Sequence, residues 1–308
     1  MKTAAAILVV VCLLGGSPAQ AQGQDSESYE RDLQVVATMI AGGFDNANQS
    51  YFDSRGKRDV KHRRLHVDVA KVEAPEIGAN VFVASGYWDN DESADAGSQL
   101  WVLSADDETK SVRMRAWAFE QSISADDVLA GKKLDDNEYC DLYWRREAAQ
   151  FRATAESCNL ELPREMVLSD KQLWMAYGDE PGDDYQLHRI RNFECYADIP
   201  GVGGGRDIPY ERYEGFKIHD QGGAVWFESN EGRKLGISLF LVDWPINNYE
   251  GIFTRDSFVI YVSEEVDGER KEHGYAFTIP EADRIGINLK WMLASCFMKS
   301  NRYATPYM

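Results

Sequence analysis

The chain has 308 residues, with 33 lysines and arginines against 51 aspartates and glutamates, a formal net charge of −18. Acidity on this scale repels a phosphate backbone and argues against nucleic acid as a partner. It favours solubility without specifying a fold, and the length allows one large domain or two modest ones.

At the N-terminus Lys2 precedes the apolar run Ala4 to Leu14, and Ala19-Gln20-Ala21 supplies a small-residue cleavage site. This is the layout of a cleaved Sec-type signal peptide, expected over residues 1–21. The run is shorter than the roughly 20 apolar residues a spanning helix needs, and no later stretch comes near that length. The expectation is an exported, secreted or periplasmic protein with no membrane span. Cys12 follows Val11 and not a small residue, which disfavours a lipoprotein site. Cleavage would leave 32 basic and 51 acidic residues, a net −19.

After the leader, Leu33, Val36, Met39 and Ile40 fall at helical spacing within Tyr29 to Ile40, and Gly42-Gly43 ends the pattern, so one N-terminal helix is expected. The period then becomes two, at Leu65 to Val69, Val81 to Ser85, Gln99 to Leu103 and Val112 to Phe119, which read as strands. Asp106-Asp107 and Ala148-Ala149 mark tight reversals. Ser124 to Ala130 could form a short helix, with Ser124 as its cap. Further strands are expected at Met166 to Ser169 and Leu173 to Tyr177, and a meander of this length tends to close so as to remove its edges.

The segment Ile199 to Pro209, with three consecutive glycines and two prolines, is the strongest break in the chain. Beyond it, strands are expected at Gly215 to Ile218, Ala224 to Glu228, Leu235 to Val242, Ser257 to Ser263, Gly274 to Ile279 and Ile285 to Leu293, with Asp267-Gly268 as a hairpin turn. The expected domains are a barrel at 29–199 and a smaller β unit at 200–308. Four cysteines follow the leader: Cys140, Cys158, Cys195 and Cys296. An even number in an oxidising compartment reads as two disulfides with three pairings open. Cys140 and Cys158 flank what looks like one hairpin, which favours that local bond and leaves Cys195 to Cys296.

Several of these segments together resemble the CpcT/CpeT family of phycobiliprotein chromophore lyases. The resemblance rests on Met39 to Gln49, where a helix ends in a Gly/aromatic turn followed by an Asn and a Gln. It rests also on Cys140-Asp-Leu-Tyr-Trp144 followed by Phe151-Arg-Ala-Thr and Cys158, and on Gln99, which sits where the family carries a Gln after a Pro-Tyr-Arg triplet. It covers roughly residues 33–178. It implies a mainly β fold, an antiparallel lipocalin/calycin-like barrel with one N-terminal helix, followed here by a second smaller β unit. It also implies a linear tetrapyrrole (bilin) as ligand, and a protein acceptor whose cysteine would take the chromophore in a thioether.

Such a ligand asks for an apolar slot, cations for two propionates, and an acid or base near the reacting vinyl group. Arg113 and Arg115 share a strand face with Trp117 and Phe119, so guanidinium and aromatic groups could meet the ligand together. The opposite choice, with Val112, Met114, Ala116 and Ala118 inward and the arginines solvated, is equally open. Tyr87, Trp101 and Trp144 could line the cavity or be plain core. The candidate ligand-binding set is therefore Tyr87, Gln99, Trp101, Arg113, Arg115, Trp117 and Trp144. Glu120 and Asp68 are candidate proton-transfer carboxylates, but no catalytic residue is assigned. His66 and Asp68 share a face, yet two ligands do not make a metal site, and none is expected.

No phosphate loop, paired metal-ligand motif or Gly-x-Ser-x-Gly elbow occurs, which leaves nucleotide chemistry and serine hydrolysis without support. Two features depart from the family. Gly97 and Ser98 replace the residues before Gln99, and an exported chain would be separated from an intracellular acceptor. The expected function is thus an exported barrel that binds a bilin or similar hydrophobic acid, with lyase activity by resemblance. The alternative is a non-enzymatic envelope carrier or interaction module.

Overall fold

The computed structural model describes residues 21–299, apart from 57–58, 125, 128–133, 135–138, 156–157, 159–160, 181, 201–208 and 249–250. The expected signal peptide, except Ala21, most of the helix expected at Ser124 to Ala130, and the glycine run at 203–205 lie outside the described residues. Two helices are described in full, α1 (Ala21–Met39) and α2 (Ala47–Arg55), the second not expected, and at the short helix expected from Ser124 the described Asp126 and Asp127 are helical, with the Asp127 amide donating to Ser124 Oγ at 3.2 Å.

Ten strands form the first unit: β1 (Gly42–Asp45), β2 (Leu65–Val72), β3 (Asn80–Trp88), β4 (Asp95–Asp106), β5 (Ser111–Phe119), β6 (Cys140–Glu147), β7 (Gln150–Ala155), β8 (Glu165–Leu168), β9 (Gln172–Ala176) and β10 (Asp184–Arg189). They are antiparallel, each paired with the next, and the four residues of β1 bridge β2 and β10 to close the barrel. Phe44 is the keystone, opposite Val67 on one side and Arg189 on the other. The reversals expected at Asp106-Asp107 and Ala148-Ala149 connect β4 to β5 and β6 to β7, with Lys110 and Ala148 in the left-handed region at φ 51° and 55°.

Strand parity decides what the barrel holds. On β5 the inward residues are Val112, Met114 and Ala116, which join the interior cluster with Phe82, Trp101, Leu142, Trp144 and Phe151. On the same strand Trp117 joins a separate cluster on the outer face with Val81, Val83 and Leu100, roofed by Ile123. One end of the barrel is plugged. Val36 and Met39 of α1 and Ile40 just after it are buried in the interior cluster, and the helix is pinned outside by Arg146 to Asp32 (2.6 Å) and by the Tyr29 hydroxyl donating to Asp107.

The second unit contains β11 (Asn192–Pro200), β12 (Tyr210–His219), β13 (Gln221–Glu228), β14 (Lys234–Asn248), β15 (Gly251–Val266), β16 (Glu269–Thr278), β17 (Arg284–Asn288) and β18 (Leu293–Phe297). They form two four-stranded sheets, ordered β12-β11-β18-β17 and β13-β14-β15-β16, which share one buried core built around Phe193, Phe258, Ile260 and Leu239. Asp267 and Gly268, both at positive φ, make the β15–β16 turn. This is the geometry a two-residue hairpin favours.

Two boundaries differ from the sequence reading. The change of unit falls between Arg189 and Asn192, because β11 pairs with β12 and β18 and not with the barrel, so residues 192–199 belong to the second unit. The single strand expected at Ile285 to Leu293 is a hairpin, β17 and β18, turned by Lys290 at φ 70°. Its apolar run continues through the turn, so alternation alone does not reveal the reversal. The disulfides are Cys140–Cys158 and Cys195–Cys296, with Cα separations of 5.5 and 4.0 Å. The second joins directly opposed residues of β11 and β18.

Candidate functional site

Opposite the α1 plug the barrel interior is open, and a cavity of about 940 Å³ enters it. Its walls are the inward residues of several strands: Leu65 and Val67 of β2, Ala84, Gly86 and Trp88 of β3, Gln99 and Trp101 of β4, and Met175 of β9. Phe119, Leu162, Tyr177 and Tyr185 complete the apolar and aromatic surround. A volume of this size lies at the upper end of small-molecule sites, which run from roughly 300 to 1,000 Å³.

Polar and apolar groups share the wall, and several of the polar ones are bonded within it. Trp101 Nε1 donates to Gln99 Oε1 at 2.9 Å, and the Tyr177 hydroxyl donates to Met175 Sδ at 3.9 Å. Burial pushes the Tyr177 phenol up to about 12, so it stays a neutral donor at any physiological pH. At the rim, Asp95 accepts from the Ser122 amide (2.9 Å), the Ser122 hydroxyl (2.7 Å) and the Gly97 amide (2.7 Å). These bonds, led by the Ser122 amide, hold its carboxyl below the usual range. The Ile123 amide donates to Ser98 Oγ at 2.9 Å. Together the contacts tie the start of β4 to the segment leaving β5 and give the mouth a fixed lip. Gly97 permits this at φ +78°, since a Cβ there would lie 2.6 Å from the Phe119 carbonyl oxygen.

The ionisable residues of the lining are Asp95, Glu120, Glu161 and Asp183, beside the neutral tyrosines. The described lining contains no lysine, arginine or histidine. The lining itself is acidic, and the Arg63 guanidinium stands beside it, 4.9 Å over the Trp88 ring and paired with Asp89.

Of the residues singled out from sequence, Gln99 and Trp101 line this cavity, and Glu120 stands at its rim. Trp144 is in the interior cluster, 1% exposed, with its indole N–H unpartnered, and it is not part of the cavity wall. Arg113, Arg115 and Trp117 point outward, a correction to the face that would have gripped propionates. Arg115 pairs with Asp141 at 3.0 Å and lies 3.8 Å above the Tyr139 ring, and Arg113 is 3.9 Å from Asp106. The cause is parity, because Met114 and Ala116 fit the packed interior and a guanidinium has no partner there.

Tyr87 is also on the outside, stacked on His66 at 4.5 Å between ring centroids. Burial first, then Asp68 and Asp45, raise its phenol to about 12. His66 itself lies between two carboxylates, Asp45 and Asp68. Burial works to lower its pKa, but hydrogen bonds to both carboxylates win and hold it at about 9. His219 faces the same spot with no carboxylate bond, and burial takes it down to about 4.

The sequence reading missed Trp88, Met175, Tyr177 and Tyr185 as cavity residues. The signal existed for three of them. Trp88 shares parity with Phe82 and Ala84, and Met175 and Tyr177 share it with Leu173, so naming one inward residue per strand would have named the rest. Tyr185 lies on β10, a strand the alternation did not reveal. The chain matches no family model, no curated protein and no solved structure.

Proposed function

We propose that the protein is an exported carrier whose barrel holds a flat, apolar small molecule in the open cavity, with no covalent chemistry required. The observation that carries this reading is the cavity itself: about 940 Å³ walled by Trp88, Trp101, Phe119, Tyr177, Tyr185 and aliphatic residues, with Trp101 and Gln99 paired in the wall and carboxylates at the mouth. Aromatic walls suit a planar ring system, and the few hydrogen-bonding groups orient it.

Charge narrows the ligand. Four carboxylates line the site against the single neighbouring guanidinium of Arg63 on Trp88, so a neutral or cationic guest is favoured over a dianion. A bilin, with two propionates, suits the aromatic walls and not the rim. The chromophore-lyase reading therefore stands second, supported by the closed barrel and by Glu120 at the mouth as a proton donor or acceptor.

The test is titration of the full chain with three probes, followed by tryptophan quenching and ligand absorbance: neutral N-phenyl-1-naphthylamine, anionic anilinonaphthalene sulfonate, and biliverdin. The expected result is micromolar binding of the neutral probe, with the two anions at least tenfold weaker at low salt. Failure of all three at tens of micromolar refutes the carrier reading. Tight biliverdin binding with a shifted spectrum refutes the charge argument and restores the chromophore reading.

A further inference from the structure

A second cluster lies on the outer wall of the barrel, where the second unit packs against it. Asp45 of β1, His66 of β2 and His219 at the end of β12 each place one potential ligand atom within 4.8 Å of the others. Asp45 is fully buried and His66 is 2% exposed. His66 Nδ1 lies 3.1 Å from Asp45 Oδ2, and its other nitrogen, Nε2, lies 3.5 Å from Asp68 Oδ2.

Each member is held from behind. Asp45 Oδ1 accepts from the Ala47 amide at 2.7 Å and from Arg64 Nε at 3.0 Å. Arg64 Nη2 spans the seam, donating to Asp45 Oδ2 at 3.0 Å and to the Gln221 carbonyl at 2.6 Å. The turn carrying His219 is anchored by Asp220, a fully buried carboxylate that accepts from the Arg191 amide at 2.9 Å and Arg191 Nε at 2.5 Å. Gly222 lets this turn approach, since at φ +78° a Cβ would stand 3.1 Å from Arg64 Nη2.

An independent observation marks the turn as a binding element. His219 Nδ1 and Gln221 Oε1 are both buried without a hydrogen-bond partner. Buried polar atoms are nearly always satisfied, and two orphans two residues apart, beside a second histidine and two carboxylates, point to a bound group.

We propose that Asp45, His66 and His219 form a divalent transition-metal site of zinc type that clasps the barrel to the second unit. Imidazole and carboxylate donors suit zinc and its neighbours, while calcium and magnesium require oxygen donors. Bonds of about 2.1 Å place tetrahedral ligand atoms about 3.4 Å apart. The Asp45–His66 pair already has that spacing at 3.1 Å, and His219, within 4.8 Å of both, needs a ring shift of at most about 1.4 Å to complete it. The metal replaces the proton between His66 and Asp45, which leaves to solvent. Asp68 then accepts the remaining His66 N–H and fixes the ring, so it is a positioning residue and not a ligand.

The experiment uses the full chain freed of metal by EDTA and exchanged into chelator-free buffer. Calorimetric titration with Zn²⁺ at pH 7.5 should give one ion per chain at submicromolar affinity, and Co²⁺ should give the intense visible bands of a four-coordinate nitrogen-containing site. His219→Gln, on a turn held independently by Asp220, should weaken Zn²⁺ binding at least about 100-fold. Asp68→Asn should weaken it about 10- to 100-fold without changing the stoichiometry. A wild-type chain that takes up less than one equivalent at micromolar Zn²⁺ overturns the proposal, as does uptake undiminished by His219→Gln. Both titrations are read outside the cavity and stand or fall separately from ligand carriage.

Discussion

Removing the two disulfides one at a time should separate the two units energetically. Cys140–Cys158 closes 18 residues within the barrel, and Cys195–Cys296 closes 101 residues within the second unit. The chain-entropy relation assigns about 3 kcal/mol to the short loop and about 4.7 kcal/mol to the long one at 25 °C. Domains of this kind carry about 5–15 kcal/mol in all, so the longer bond supplies a large share of the second unit's stability. The paired variants Cys140→Ala/Cys158→Ala and Cys195→Ala/Cys296→Ala would be unfolded in urea, with hydrogen exchange resolved by peptide to follow each unit.

The long-loop variant should lose protection across β11, β14, β15 and β18 while the barrel keeps its neutral-probe affinity within about twofold, because the two interiors are separate clusters. The short-loop variant should lose less and should lose it in the barrel. A greater loss from the short loop would refute the entropic argument. A collapse of ligand affinity in the long-loop variant would refute the independence of the two cores.

Other expectations follow from single side chains. Ala84, buried on the cavity wall, replaced by Trp should lower neutral-probe affinity at least about tenfold in a quenching titration, at a packing cost of about 1–3 kcal/mol. Arg113→Ala and Arg115→Ala together should leave that affinity unchanged and cost less than about 1 kcal/mol per ion pair in urea unfolding. A tenfold loss would return these arginines to the ligand site. Asp243 faces Asp256 across β14 and β15, and burial together with that neighbour raises it from 3.8 to about 6. Its protonated form is thus the one the fold prefers, so the contribution is present below about pH 4 and is lost as pH rises through about 6. The side chain is partly exposed, and screening cuts the roughly 3 kcal/mol of a two-unit shift to about 1 kcal/mol. Asp243→Asn should therefore stabilise the chain by about that amount at pH 7 and by nothing at pH 3.5.

The alternating segments from Leu65 to Tyr177 carried the antiparallel barrel in their period, since side chains two apart share a face whatever the partner strand. The Asp267-Gly268 turn and the two disulfide pairings were also legible, the first because few residue pairs tolerate positive φ twice, the second from local proximity and elimination. Which face of each strand looks inward was not. On β3, β4 and β5 both faces are apolar, with Phe82, Trp101 and Met114 inside and Val83, Leu100 and Trp117 under Ile123 outside, so the pattern had two equivalent solutions. Closure itself rests on β1 and β10, four and six residues long, whose pairing is defined by each other and not by their own alternation. The convergence of Asp45, His66 and His219 is further still from sequence. It joins residues more than 150 positions apart through the packing of one unit on another, and a short-range pattern holds no record of that distance.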